Sequence, residues 1–243
     1  MDKFQNKYRL RSAECDANNQ MRVRSLFNLF QDMADLHAEK FGFGYSFCLQ
    51  NHMTWVGTGY HVIINQLPQR DEEFILETWH AGSELMIARR DFKLLDLNGN
   101  VLVSAYSNWA LIDLNKKRPV IVQKFLSDET LILDKAIEAN FKRVVLPVDL
   151  GQGAVLQVRR DDIDINQHVN NAVYPAWIMD GLSDEFLKTH RLRELKIQFK
   201  TGALYENEVA IFSKIEDNQT YHLIASPTKE VEFASVEANW IAV

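Results

Sequence analysis

Apolar residues recur along the chain at two different spacings, and each spacing predicts a different element. Residues 23–37 place apolar side chains three and four positions apart, which predicts an amphipathic helix. A shorter stretch with the same period runs from Val173 to Leu182. The segments that follow each stretch alternate between apolar and polar residues or are continuously apolar, and both patterns favour strands. A helix followed by several antiparallel strands is an α+β pattern, and here it occurs twice.

Strands are expected in both halves of the chain. In the first half they cover residues 7–13, 54–66, 73–82, 84–96 and 101–114. In the second half they cover residues 154–161, 194–202, 208–217, 219–227 and 231–243. Asn98 and Gly99 between two first-half strands are a hairpin-turn signal. The strands of each half must wrap around its long helix, because only the helix is able to cover their apolar face.

The two halves are similar in sequence, which indicates one unit written twice. Residues 11–21 and 159–169 share an arginine, an acidic residue and an Asp-x-Asn step at an offset of 148. Residues 60–75 resemble 195–210 at an offset of 135, and residues 104–109 resemble 235–240 at an offset of 131. Offsets that only shrink are expected when the second copy has shorter loops. Chance matching of short strings is the alternative.

The joint between the two copies lies in a stretch rich in residues that interrupt regular structure. Its Pro and Gly residues are Pro119, Pro147, Gly151 and Gly153. We expect a first unit over residues 1–130, a linker over 131–152 and a second unit over 153–243. The apolar period of residues 126–141 predicts a connecting helix. Edge-to-edge pairing of the two sheets is expected because it removes exposed strand edges.

The composition is that of an ordinary globular protein. The 243 residues are 47% hydrophobic and 25% charged. No apolar run approaches the roughly 18 residues of a membrane-spanning helix, and residues 1–12 lack the apolar stretch of a secretory signal, so a cytoplasmic protein is expected. The net charge of -6 argues against broad attraction to nucleic acid or anionic membranes. Cys15 and Cys48 are not a CxxC pair and are expected to be reduced apolar fillers.

The candidate chemistry lies where the two copies diverge in polarity. Gln20 of the first copy stands opposite His168 of the second. In an extended segment Asp164, Asn166 and His168 would share one face just before a helix begins. Free amides in the first turn of that helix suit a developing oxyanion, and an imidazole beside a carboxylate is equipped to activate water. The alternative is that His168 only bonds the backbone at the helix start.

The second-copy motif resembles the signature of a known enzyme family. Residues 160–178, which contain Asn-Gln-His-Val-Asn-Asn, resemble the acyl-ACP thioesterases of plant plastids and bacteria. Similar residues occur in the first half, for example Trp55 and the Arg-Arg-Asp-Phe string at 89–92. The resemblance implies a tandem hotdog fold, two long helices each wrapped by a sheet, and hydrolysis of the thioester between a fatty acyl chain and acyl carrier protein. It implies no cofactor.

Carried over by position, the resemblance assigns roles to particular residues. The catalytic positions fall on Asp164, Asn166 and His168. Independently of the resemblance, we expect the carbonyl oxygen of the substrate to lie over the helix start, where the backbone amides of Val169 and Asn170 and the Asn166 amide are candidate donors.

The chain departs from the family pattern at one place. The position of a further acid falls on Gly202, and that of a cysteine falls on Ala203; neither residue is an acid, a base or a nucleophile. Two alternatives stay open. Either Asp164 and His168 suffice, with Glu194, Glu206 or a backbone group assisting, or the protein binds acyl chains without hydrolysing them. With no cysteine near the motif, direct attack by water is expected.

An acyl chain requires an apolar tunnel, and acyl carrier protein requires a basic patch. The tunnel candidates all lie in the first half: Leu29, Phe30, Met33, Phe41, Phe43, Phe47, Met53, Trp55 and Met86. The patch candidates are residues 116–118 and the cluster Lys188, Arg191, Arg193, Lys196 and Lys200. The histidines show no metal-ligand spacing, so no metal is expected. An acyl-CoA thioesterase or a hydratase of the hotdog class is a weaker enzyme alternative, and a homodimer is left open.

Overall fold

The computed structural model describes residues 3–126, 131–140 and 142–243. The chain divides into two compact units, Met1–Asn140 and Phe141–Val243. Within the described residues, no helix is both long and apolar enough to cross a membrane.

The first unit packs a long helix against an antiparallel sheet. The helix is α1 (Val23–Lys40), and the short α2 (Tyr45–Asn51) follows it. The strands are β1 (Phe4–Arg9), β2 (Met53–Ile64), β3 (Glu73–Glu84), β4 (Ile87–Leu95), β5 (Val101–Asp113) and the two-residue β6 (Arg118–Pro119). Their order is β1-β3-β4-β5-β2, with β6 beside β5. The ring of Phe30 in α1 lies 4.6 Å from that of Phe92 in β4, so the apolar face of the helix covers the sheet.

The second unit repeats this arrangement with a shorter helix. Its helices are α3 (Val173–Asp180) and α4 (Asp184–Thr189). Its strands are β7 (Gly151–Gln157), β8 (His190–Phe199), β9 (Glu208–Glu216), β10 (Gln219–Ala225) and β11 (Glu232–Ala242). They are ordered β7-β9-β10-β11-β8, which matches the first unit strand for strand. The α+β class predicted for both halves is confirmed, whereas the edge-to-edge pairing of the sheets stays a prediction.

The duplication is visible in local backbone geometry as well. Arg11 donates its amide to the Glu14 carboxylate at 2.9 Å, and Arg159 does the same to Asp162 at 3.1 Å. Each pair closes a short 3₁₀ turn. Asn19 and Gln167, which are 148 positions apart, both adopt a left-handed backbone, with φ of 57° and 63°. These correspondences confirm the sequence repeat.

The expectation of two long helices is wrong for the second one. Helix α3 has 8 residues, against 18 in α1. It ends where the amide of Gly181 closes onto the carbonyls of Trp177 and Ile178. Ser183 then starts α4, because its hydroxyl accepts the Phe186 amide and so satisfies a first-turn donor.

The predicted connecting helix does not form over residues 131–140, and residues 127–130 and 141 lie outside the described part of the chain. Backbone groups of this segment bond to the first unit instead of to each other. The amide of Ala136 donates to Asp91 at 2.7 Å, and the carbonyl of Ile137 accepts from Arg89 at 2.6 Å. Residues 131–140 therefore bond to the first compact unit, and the linker over residues 131–152 stays a prediction.

Both cysteines are free and buried, as expected. Burial raises the pKa of the Cys48 thiol to about 11, which keeps it protonated and unreactive.

A buried histidine completes the polar core of the second unit. The His222 ring is fully buried, with Nδ1 2.8 Å from the Ser213 hydroxyl and Nε2 2.9 Å from the Thr220 hydroxyl. One hydroxyl donates and the other accepts, so a neutral ring satisfies both partners. Burial accordingly lowers the pKa of His222 to about 4.

Replacing His222 by glutamine should flatten the pH dependence of stability. As the pH falls below 6.5 the unfolded chain protonates this residue while the folded chain does not. The free energy of unfolding should therefore fall between pH 6.5 and about pH 4, by up to about 1.4 kcal/mol per pH unit for this residue. Denaturant titrations at several pH values measure both slopes. Equal slopes in the wild type and in His222→Gln would contradict the assignment.

Candidate functional site

Residues 164–168 form a tight turn and not the extended segment that was expected. The amide of Asp164 donates to the His168 carbonyl at 2.8 Å, and one carboxylate oxygen of Asp164 accepts the amides of Asn166 at 2.7 Å and of His168 at 3.4 Å. Short acidic side chains favour this closure onto nearby amides. Asp164 thus holds the backbone of the turn, and among the described residues its carboxylate makes no hydrogen bond to the imidazole.

The His168 ring is exposed and oriented by a backbone carbonyl. Its Nδ1 lies 2.8 Å from the carbonyl oxygen of Asn166. Because a carbonyl oxygen only accepts, Nδ1 carries the proton, and the neutral ring keeps its lone pair on Nε2. Asn166 therefore contributes its carbonyl to the site, and His168 presents a basic nitrogen to solvent.

Gly202 provides the space in which the His168 ring sits. A Cβ added at Gly202 would lie 2.5 Å from Cδ2 of the ring. The neighbouring Ala203 fixes this segment to the turn, because its carbonyl accepts the Val169 amide at 2.8 Å and its amide donates to the Tyr174 hydroxyl at 3.0 Å. The two positions without catalytic side chains thus position the ring.

The amides of Val169 and Asn170 are not available to an oxyanion, contrary to expectation. Val169 donates to Ala203, and Asn170 donates to the Asp162 carbonyl at 2.8 Å. The backbone is still turning at this point, and α3 begins only at Val173. Among the hydrogen bonds of the described residues, the amide of Asn171 has no acceptor.

The side chain of Asn170 stabilises the turn that leads into α3. The Asn170 side chain accepts the Ala172 amide at 2.8 Å, just before α3 begins.

The two glutamates considered as assisting acids lie elsewhere in the second unit. The Glu194 carboxylate accepts a hydrogen bond from the Asn239 side chain at 2.8 Å and lies 3.4 Å from Nζ of Lys196. Its charge is therefore already paired within the sheet. Glu206 lies in an exposed turn with a φ of 66°.

The first unit contains an open cleft beside the C-terminal half of α1. Its empty volume is about 720 Å³, with the open solvent at its mouth included. Aromatic and aliphatic side chains form much of the wall: Phe41, Phe43, Trp55, Trp109 and Leu126. Polar side chains also line it, among them Asp35, His37, His80 and Arg90.

Three of the nine tunnel candidates line this cleft: Phe41, Phe43 and Trp55. The other six lie elsewhere. Phe30 and Met33 are fully buried in the core, Met86 is exposed, and Leu29 is half-buried outside the wall. Phe47 and Met53 pack around Leu111 and Val122. Helical spacing identifies the inward face of α1 but not where the sheet leaves space beneath it.

Sequence reasoning missed a hydrogen-bonded pair in the cleft, formed by the buried His37 and the partly buried Arg90. Nη1 of Arg90 donates to Nδ1 of His37 at 2.6 Å and to the Thr78 hydroxyl at 3.3 Å. Burial, followed by the charge of Arg90, lowers the pKa of His37 to about 3, so this ring is a neutral acceptor. The alternation of strand residues could have identified Arg90 as inward-facing, because Ala88 and Phe92, two positions before and after it, are both buried.

The described residues contain no group of three or more His, Cys, Asp or Glu side chains that would hold a metal ion.

Comparisons with known proteins identify relatives across the chain. The model of the acyl-ACP thioesterase N-terminal domain matches residues 1–129, and that of the C-terminal domain matches residues 149–242. Oleoyl-acyl carrier protein thioesterase 2, chloroplastic, of Arabidopsis thaliana is 27% identical over 215 residues, which cover 81% of this chain and 59% of that protein. The palmitoyl-acyl carrier protein thioesterase of Gossypium hirsutum is 24% identical over 236 residues, covering 91% and 57%. The chain thus spans less than two thirds of the length of these relatives.

Solved structures share the fold. An acyl-ACP thioesterase from Bacteroides thetaiotaomicron superposes with a TM-score of 0.90 at 22% identity, covering 98% of each chain. The 12:0-ACP thioesterase from Umbellularia californica gives a TM-score of 0.85 at 20% identity, covering 99% of this chain and 98% of that one. The hotdog fold expected from the sequence is confirmed.

Adding a methyl group at Gly202 should displace the His168 ring. In Gly202→Ala the new Cβ cannot stay 2.5 Å from Cδ2, so the ring must rotate away from the Asn166 carbonyl. The imidazole NMR signals of His168 should shift, and overpacking should cost about 1–3 kcal/mol of stability. Gly151→Ala is the matched control, because its Cβ would lie 3.7 Å from its nearest neighbour. Unchanged His168 signals in Gly202→Ala would contradict this packing.

Proposed function

Because the chain belongs to the acyl-ACP thioesterase family, we propose that it hydrolyses the thioester joining a fatty acyl chain to acyl carrier protein, releasing the fatty acid and holo-ACP. The observation that carries this proposal is the hydrogen bond from Nδ1 of His168 to the Asn166 carbonyl, which leaves Nε2 as an exposed base. The required chemistry is general-base activation of water, and one oriented imidazole is sufficient for it.

In the proposed reaction, Nε2 of His168 takes a proton from water as the water oxygen attacks the thioester carbonyl carbon. The carbon–sulfur bond then breaks, and His168 returns the proton to the departing thiolate. The products are a fatty acid and a thiol. No cysteine nucleophile is involved. The hydrogen bond that Nδ1 of His168 donates to the Asn166 carbonyl keeps the ring in the same tautomer before and after each turnover.

The carbonyl oxygen becomes negatively charged during attack and needs a donor. We assign this role to the amide of Asn171, because the amides of Val169 and Asn170 are already bonded. A single preorganised donor of this kind is worth roughly 2.7–4 kcal/mol in acyl transfer. Asn170 supports it indirectly by capping the next amide along the chain.

Each unit supplies one component of the proposed activity. The second unit carries the base, and the first unit carries a cleft whose aromatic wall suits a fatty chain. Burial of each methylene contributes about 0.8 kcal/mol, so a chain of several carbons gains substantial binding energy there.

Acyl carrier protein is the proposed partner, docking on residues 116–118. This segment is exposed, and within the described part of the chain only its Lys116 is paired with an acid, Asp113, at 2.9 Å. In the alternative cluster, Lys196 and Lys200 already form ion pairs within their sheet. Action in the cytoplasm and pairing into a homodimer stay predictions.

The alternative function is binding of acyl thioesters without hydrolysis. It is favoured by one observation, the glycine at position 202 where the family resemblance places an acid. An assay with acyl-ACP and acyl-CoA substrates that follows free thiol separates the two, because a binder retains ligand and releases no thiol. The same assay compares the two carriers.

His168→Ala should lower turnover by about 10²- to 10⁴-fold without unfolding the protein, because it removes the general base. Initial rates of thiol release from acyl-ACP measure the effect. Ile165→Ala is the matched control, since Ile165 lies in the same turn with 78% of its surface exposed. Full activity in His168→Ala would exclude this mechanism.

Substitutions of Asp164 should separate its geometry from its charge. Asp164→Asn keeps an oxygen that accepts the two turn amides and should retain most of the activity. Asp164→Ala loses both bonds, so His168 is misplaced and kcat should fall by roughly 10- to 100-fold with little change in KM. Steady-state kinetics of both variants provide the test. If the two variants are equally impaired, the negative charge and not the turn is what matters.

A further inference from the structure

The cleft of the first unit contains a partly buried cation, Arg90, with no anionic partner among the described residues. Nη1 of Arg90 donates to the His37 ring and the Thr78 hydroxyl, which are both neutral. Within the described part of the chain, no acidic side chain pairs with this guanidinium, and its Nε and Nη2 donate to no acceptor. Withdrawing a charge from water without pairing it costs free energy, and the cost grows with its burial. Burial accordingly lowers the pKa of Arg90 to about 10.

The fold itself does not require this arginine. Because β4 and β5 correspond to β10 and β11, the pair Arg90–Ser107 corresponds to the pair Thr220–Ala238. Thr220 is fully buried, and its hydroxyl is satisfied by His222 and by the indole of Trp240. The same scaffold position is thus filled by a small, fully bonded residue in one unit and by an unpaired cation in the other.

The surroundings of Arg90 hold it in place for a ligand. Its neighbour His37 accepts from Nη1 and is itself packed against the rings of Phe4 and Phe41. The guanidinium therefore has a fixed orientation, and it lines the cleft together with the apolar wall. An apolar wall that leads to one fixed cation fits an apolar chain that ends in an anion.

We propose that the cleft of the first unit binds a free fatty acid, with its carboxylate on the guanidinium of Arg90 and its chain along Phe41, Phe43 and Trp55. A plain hydrocarbon chain would leave the cation unpaired, whereas a carboxylate accepts from Nε and Nη2 in the bidentate geometry that arginine favours. A free fatty acid is the product of the proposed reaction, so the physiological role of this site rests on the proposed function. The binding test does not depend on that function. Such a site would make the enzyme sensitive to its product.

One acid also lines the cleft. Asp35 is exposed, and burial of part of its carboxyl, together with Glu39 and Asp32, raises its pKa. Water screens its repulsion of an incoming carboxylate, so Asp35→Asn should strengthen binding of the acid only slightly.

The test compares ligands that differ only in the head group. Calorimetric titration of the wild-type protein with decanoic acid and with decanol, at a pH where the acid is ionised, should show tighter binding of the acid by about tenfold or more. Methyl decanoate, which has the same chain and an uncharged ester head group, examines whether a neutral oxygen serves equally well. Tight binding of that ester, equal to the acid, would overturn the assignment to a carboxylate.

Variants locate the preference on one side chain. Arg90→Met should bind the acid and the alcohol equally, and Arg90→Lys should keep part of the preference. Arg70→Met, at an exposed position of the same unit, is the matched control and should behave as the wild type. His168→Ala should also keep the preference, so loss of hydrolysis and loss of acid binding are distinguishable.

Three outcomes would overturn the proposal: equal binding of acid and alcohol by the wild type, binding of neither, or an acid preference that survives in Arg90→Met. The wild-type comparison needs no variant, so the proposal stays testable even if Arg90→Met does not fold.

Discussion

The carboxylate of Asp164 is the constraint on which the candidate active site depends. By accepting two amides it closes a turn that would otherwise be open. The closed turn puts the carbonyl of Asn166 within reach of the His168 ring, and that carbonyl decides which ring nitrogen is basic. Backbone geometry therefore does what a side-chain partner does in a Ser-His-Asp triad, where a carboxylate holds the imidazole directly. The glycine at 202 belongs to the same arrangement, because it leaves the ring its place.

Two units with the same frame have diverged in local structure. Both keep the same strand order and the same 3₁₀ turn before their helix. The second unit concentrates polar side chains in the turn that follows and shortens its helix. The first unit retains a long helix, and its cleft lies beside the later turns of that helix, which α3 does not have.

Much of the fold is written in the sequence because it depends on periodic patterns. The repeat, the strand positions and α1 follow from spacing, and the turn at Asn98 and Gly99 forms as expected, with Gly99 at a φ of 87°. The site is less accessible to such reasoning. The sequence groups Asp164, Asn166 and His168 in one motif, but alternation assumed an extended segment. The hydrogen bonds that the Asp164 carboxylate accepts fold this segment into a turn. The same limit applies to residues 131–140, where apolar periodicity predicted a helix. Side chains of distant strands form hydrogen bonds with the backbone of this segment instead.

The hydrogen bonds of residues 131–140 determine how far the first unit extends along the chain. Arg89 and Asp91 form a buried ion pair on the outer face of β4, with N–O distances of 2.7 and 3.0 Å, and residues 136–139 cover it with backbone groups. The family match to the N-terminal domain stops at residue 129, before this cover begins. A fragment cut there would expose the carboxylate and the guanidinium to water and would also lose the carbonyl that accepts from the Trp79 indole. A fragment of the N-terminal half that keeps these bonds must therefore extend past residue 129 and include Ala139.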